Sequence, residues 1–174
     1  AVMKKMTALL LLAFANAKLA AVDNVHLSGT LVAEPCTLAE TDTDIQLDFG
    51  TVISKYLYQY QRSKSQPFTL HLLDCNPSLG NMVNVTFQGT PDTELNQLLA
   101  LDTASTAKGI AIGIEQEDGK PLAINKSSEN IPLASGNNAL SFRAYAQIQP
   151  SALTNQTLTV GSFTAISTFV LSYE

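Results

Sequence analysis

Runs of basic residues are absent from this sequence, histidine and cysteine are down to two each, and charged residues make up only 14% of 174. The missing basic patch, with a formal net charge of −5, excludes a nucleic-acid partner, whose phosphates would call for clustered Lys and Arg. His26 and His71 stand at the wrong spacing from Cys36 and Cys75 for a zinc site. The sequence also lacks a Gly-x-Ser-x-Gly elbow, a His-Glu-x-x-His helix and a phosphate loop. Nothing therefore points to an enzyme or calls for a cofactor. Asp42, Asp44 and Asp48 lack the glycine and closing glutamate of a calcium loop, so they read as an exposed polar turn and no metal is expected. Asn-x-Ser/Thr triplets at Asn84, Asn125 and Asn155 are too short a pattern to carry weight.

Hydrophobic residues, at 45%, exclude a disordered chain, and the length suits one domain with a sizeable core. Lys4 and Lys5 precede an apolar run from Thr7 to Phe14 and then small residues, the pattern of a secretory signal peptide. That run is too short for a membrane span. Cleavage after Ala17 or Ala21 fits, and the second is preferred, giving a leader of residues 1–21 and a mature chain with no membrane span. Losing Lys4, Lys5 and Lys18 takes the net charge from −5 to −8. In an oxidising compartment the default for Cys36 and Cys75 is a structural disulfide. Closing so long a loop is worth about 4 kcal/mol on a chain-entropy argument.

The rest of the chain alternates with the period of β-strands. From Gly161 to Glu174 it carries no proline and no charge before its last residue. Phe163, Ala165, Ser167, Phe169, Leu171 and Tyr173 fall on one face, and the stretch reads as one well-buried strand. Val22 to Ala33 alternates too, with Val25, Leu27, Gly29 and Leu31 on one face and His26, Ser28 and Thr30 on the other. Further strands are expected at Ile45–Phe49, Phe68–Cys75, Met82–Phe87, Gly109–Glu115, Pro121–Ile124 and Asn137–Gln147. Asp118-Gly119 marks a hairpin. Residues 54–66 read as a mobile loop or edge, and residues 91–103 as either a helical turn or a buried strand. About eight short strands without a convincing helix give an all-β fold, an immunoglobulin-like Greek-key β-sandwich.

An extended segment with one apolar face must bury that face. Residues 22–33 could complete their own sheet, making a self-contained secreted module that binds a carbohydrate or protein through a surface such as 54–66. They could instead pair with a neighbouring molecule.

The mature chain resembles the minor pilins of bacterial fimbriae assembled by the chaperone–usher pathway. Gly29 stands seven residues before Cys36, Cys75 ends a strand, and Val85–Thr90 and Gly109–Ile114 resemble further segments of that family. Gly161 is fourteenth from the C-terminus and Tyr173 penultimate. The resemblance implies an incomplete pilin sandwich, residues 35–174, that lacks its last strand and is completed by a donated one. It implies a donor-strand extension, residues 22–34, in which Val25, Leu27, Gly29 and Leu31 enter a neighbour's groove, with Gly29 where that groove is shallow. Gly161, Phe163, Ala165, Phe169, Leu171, Tyr173 and Glu174 would form the strand bordering this chain's own groove, where a periplasmic chaperone binds and holds the terminal carboxylate. An outer-membrane usher, then neighbouring pilins or a tip adhesin, would be the later partners, in a fimbrium on the cell surface. With no lectin domain ahead of the extension, the expected place is shaft, adaptor or tip fibrillum.

Overall fold

A computed structural model describes residues 25–174, so the leader, both cleavage sites and residues 22–24 of the extension lie outside the described residues. The chain divides into two units, residues 1–32 and 33–174. In the first, residues 25–32 carry no strand, and Val25, Leu27, Leu31 and Val32 are exposed.

The second unit is an all-β sandwich with two short helices. Its strands are β1 (Thr37–Leu38), β2 (Gln66–Cys75), β3 (Met82–Gln88), β4 (Ile110–Gln116), β5 (Pro121–Leu122), β6 (Ile131–Pro132), β7 (Gly136–Ile148) and β8 (Thr168–Tyr173); its helices are α1 (Ser54–Tyr60) and α2 (Pro150–Asn155). One sheet has the order β1-β2-β7-β4-β5 and the other β6-β3-β8. The named pairings are all antiparallel.

Alternation explains which side chains meet between the sheets. β2 sends Leu70 and Leu72 inward, β3 Val83, Val85 and Phe87, and β7 Leu140 and Phe142. Phe142, only 1% exposed, lies at the centre, 5.8 Å from Phe68 and 5.1 Å from Phe87 between ring centroids. The Phe87 contact is edge-on, the arrangement aromatic quadrupoles favour. Cys36 and Cys75 form the expected disulfide, both nearly buried. Gly119 takes a positive φ of 87° in the hairpin between β4 and β5, where its N–H donates to Gln116 O at 2.9 Å.

β4 is buried on its outer face as well. There the Tyr145 ring lies flat against Gly113, and the Arg62 guanidinium sits 3.5 Å from the centre of that ring. Glu115, also on this face, accepts hydrogen bonds from Arg62 at 2.9 Å and Ser65 at 2.5 Å. A Cβ on Gly113 would come within 2.6 Å of Tyr145 Cε2. Gly113→Ala is therefore expected to cost about 1–3 kcal/mol through overpacking, read as a lower denaturant midpoint with unchanged slope.

Several expectations need correction. The terminal strand starts at Thr168 rather than Gly161, because residues 162–164 bond instead to the 102–107 segment. Asp102 N–H donates to Thr164 O at 2.8 Å, and Thr106 N–H to Ser162 O at 2.9 Å. Nor is that strand well buried, since its inward face is only half-covered. Ile45–Phe49 alternates in burial but joins no ladder. Residues 54–60 form a helix rather than a loop: Leu57 turns inward, and the Tyr56 and Tyr60 rings, four residues apart, pack tilted with centroids 4.4 Å apart. Helix α2 starts with Pro150, whose missing N–H costs nothing at a first helical position. Residues 91–103 are neither continuous helix nor strand, but a loop closed by a Pro91–Leu99 bridge and anchored to β4 by a second, in which Leu99 and Ile112 exchange both backbone bonds. Asp42 is not exposed. It is buried and accepts from the ring of His71 at 2.9 Å and from the His71 backbone N–H.

Candidate functional site

Two extended segments of the second unit face the gap between the sheets, one without backbone partners and the other paired along a single edge. Along residues 45–52, Ile45, Leu47, Phe49 and Val52 are half-buried, while Gln46, Asp48 and Gly50 are exposed. Among the described residues the backbone of 44–52 makes no bond to another backbone group. Opposite runs the terminal stretch. Phe163, Ala165, Ser167, Phe169, Leu171 and Tyr173 are each half-buried, and every residue between them is exposed. β8 pairs with β3 from Thr168↔Gln88 to Tyr173↔Val83, and no strand among the described residues lies on its other side.

Side chains show that these two walls enclose one groove. Phe49 and Phe163 approach to 5.9 Å between ring centroids. Leu47, Phe49, Val52, Phe163 and Ala165 all pack on one core cluster, and Ile45, Phe169, Leu171 and Tyr173 on the other. The groove floor is thus the core of the sandwich, left half-covered. A strand laid between the walls would find free N–H and C=O groups on both sides and alternating apolar seats below.

At one end the groove deepens into a recess of about 60 Å³ lined by Val52, Leu57, Ile110, Leu158 and Phe163, with Lys108 at its edge. Gly161 also lines it, and its lack of a side chain has a reason: a Cβ there would sit 2.9 Å from Ala107 N. The other end is pinned by polar contacts. The Glu174 backbone oxygen accepts from the N–H groups of Asn81 at 2.9 Å and Met82 at 3.1 Å. Its side-chain carboxylate accepts from Asn130 at 2.8 Å, and Asn130 in turn accepts from Asn84. Burial, and then the negative charge of Glu34, raise the Tyr173 hydroxyl above the ordinary tyrosine value. A group whose folded pKa is raised stabilises fully below its unfolded value, about 10, and loses that contribution as pH rises through the folded value. Alkaline destabilisation setting in above about pH 10 is therefore expected to weaken in Tyr173→Phe, followed by denaturant midpoint against pH.

Of the residues expected at the groove, Phe163, Ala165, Phe169, Leu171 and Tyr173 share one half-buried face of the terminal stretch, and Gly161 and Glu174 stand at its ends. The opposite wall, Ile45 to Val52, was missed. Its signal is present in the alternation of Ile45, Leu47 and Phe49, which identifies a strand but not the partner of its backbone. Val25, Leu27 and Leu31 are exposed, with Gly29 between them.

A family model described as fimbrial protein matches residues 25–174. The chain belongs to the fimbrial protein family. This fimbrial subunit is 37% identical over 166 residues to the uncharacterized fimbrial-like protein YfcP of Escherichia coli (strain K12), covering 94% of this chain and 90% of that protein. It is 30% identical over 150 residues to the major MR/P fimbria protein of Proteus mirabilis (strain HI4320), covering 86% and 83%. Its fold matches the crystal structure of the P pilus rod subunit PapA with a TM-score of 0.70 at 21% identity, over 81% of this chain and all of that one. The family is a structural one whose members build surface fimbriae, so the subunit works in contact with other subunits. No helix among its described residues is long and apolar enough to cross a membrane.

Proposed function

We propose that this fimbrial subunit joins its neighbours by accepting one strand in the groove and donating another from its own extension. The observation that carries this reading is the pair of walls, Ile45–Val52 and Phe163–Tyr173, which share strand-like burial while their facing backbone lacks partners. Val25, Leu27, Gly29 and Leu31 are the donated face, with Leu31 seated in the recess and Gly29 over the Phe49–Phe163 contact, where two rings crowd the groove. This is β-augmentation, in which main-chain bonds supply affinity and alternate side chains supply register. Three apolar side chains at about 1.5–3 kcal/mol each make the joint tight.

On this reading residues 1–21 are a leader, 22–34 the donor extension and 35–174 the acceptor domain. A periplasmic chaperone occupies the groove first and holds the Glu174 end. The outer-membrane usher then exchanges that strand for the extension of a neighbouring pilin, or passes the subunit to a tip adhesin. The place fits a minor or adaptor subunit, and the role involves no catalysis. A self-contained binding module has less support, since residues 25–32 carry no strand.

Thermal unfolding of residues 33–174, with and without a synthetic peptide spanning Val22 to Glu34, tests this. At a thousandfold excess over Kd the peptide adds about 4 kcal/mol, a rise of roughly 8–16 °C for a domain of this size. A stable domain that ignores this peptide, other pilin extensions and a chaperone strand alike would overturn the proposal.

A further inference from the structure

The recess and the residues that follow the donor face carry complementary charge. Lys108 is the one charged side chain lining the recess, and Lys55 directly follows Ser54, another lining residue. Both lysines are exposed. Val160, also a lining residue, is 77% exposed, and Ile53, which stands between the lining residues Val52 and Ser54, is 61% exposed.

In the extension, the apolar alternation ends at Leu31. Exposed Val32, Ala33 and Glu34 follow, and then the buried Pro35 and Cys36. Four residues from Leu31 to Pro35 reach at most about 14 Å when fully extended. A donor whose Leu31 fills the recess must therefore bring its own Pro35–Cys36 end against the rim. In crossing that rim, its Val32 and Glu34 pass over an apolar, lysine-bearing edge.

Resting on the groove reading above, we infer that the rim of Lys55, Lys108, Ile53 and Val160 is a second contact surface, and that its occupant is the Val32–Glu34 segment of a second copy of this chain. The donated strand supplies the tight seat. The rim reads the linker, with Glu34 opposite the two lysines and Val32 on Ile53 and Val160. Such a contact joins unlike surfaces of identical molecules, so it does not close on itself and propagates a filament. Exposed pairs of this kind act mainly on encounter rate, and salt screens them.

The test uses the refolded full-length chain and follows self-association by light scattering. Lys55→Glu/Lys108→Glu and Glu34→Lys are each expected to slow assembly about tenfold at low salt, because like charges then meet at the rim. Mixing the two variants restores opposite charges and should recover the rate in part. All differences should vanish near 0.5 M salt, where the Debye length falls to about 4 Å. A peptide spanning Val22 to Val32, which lacks Glu34, separates this idea from the groove reading and should bind wild type and the lysine variants equally. Charge variants that assemble at the wild-type rate, while that peptide still binds, would overturn the rim contact. A chain that binds other pilin extensions but not its own would overturn the second-copy assignment. Failure of every peptide to bind would remove the groove reading itself.

Discussion

A chain in which Cys36 and Cys75 are both replaced by alanine should lose about 4 kcal/mol of stability, with its melting temperature falling by roughly 8–16 °C. The bridge spans 39 positions of sequence and ties the start of the domain to the end of β2. Both cysteines are 4% exposed and pack in the same core cluster as Leu70, Leu72 and Val83. The double substitution therefore frees a long loop in the unfolded state and leaves two small voids in the folded one. Differential scanning calorimetry of the variant beside the oxidised parent checks the size. A fall of under 3 °C would show that packing, not the cross-link, holds this end of the sandwich.

Leu27→Asp in the extension should reduce strand donation at least about a hundredfold, whereas Ser28→Asp should change it less than about threefold. The reasoning rests on period two: successive side chains of a strand point to opposite faces. A carboxylate seated on an apolar floor leaves water without a partner, a cost of several kcal/mol, while one on the outward face stays hydrated. Leu27 is 93% exposed, so its replacement leaves the acceptor domain folded and any loss belongs to assembly. Competition between wild-type and variant peptides for the groove measures the ratio. Equal losses at both positions would mean that the extension does not enter as a strand.

Much of this arrangement was legible in the sequence because burial followed alternation. Leu70 and Leu72 in β2, Val83, Val85 and Phe87 in β3, and Leu140 and Phe142 in β7 all point inward as their spacing requires. The Asp118-Gly119 hairpin appeared where its turn chemistry placed it. Two short helices were missed, since seven and six residues give too little periodicity to outweigh polar neighbours. The terminal stretch was right in face and wrong in pairing. Side-chain alternation reports which atoms face the core, not which backbone supplies the hydrogen bonds, and residues 162–164 take theirs from 102–107. Ile45 to Val52 failed for the same reason: the pattern is that of a strand, but no described segment of the chain pairs with it.

The disulfide also decides where a pull would go. If the extension is the donated strand, as proposed, tension along a fibre would enter each subunit through the residues just before Cys36 and pass across the sulfur bridge to Cys75 at the end of β2. The segment between Thr37 and the start of β2 then lies off that entry path, while the neighbour's strand seated in the groove would load the Ile45–Val52 and Phe163–Tyr173 walls. From β2 the force spreads into its ladder with β7, which runs from Gln66↔Ala144 to Cys75↔Gly136. Because that load runs along the strands, its rungs must shear together rather than open one by one. A stretched fimbrium would therefore bear its strain along strands that yield only as whole ladders.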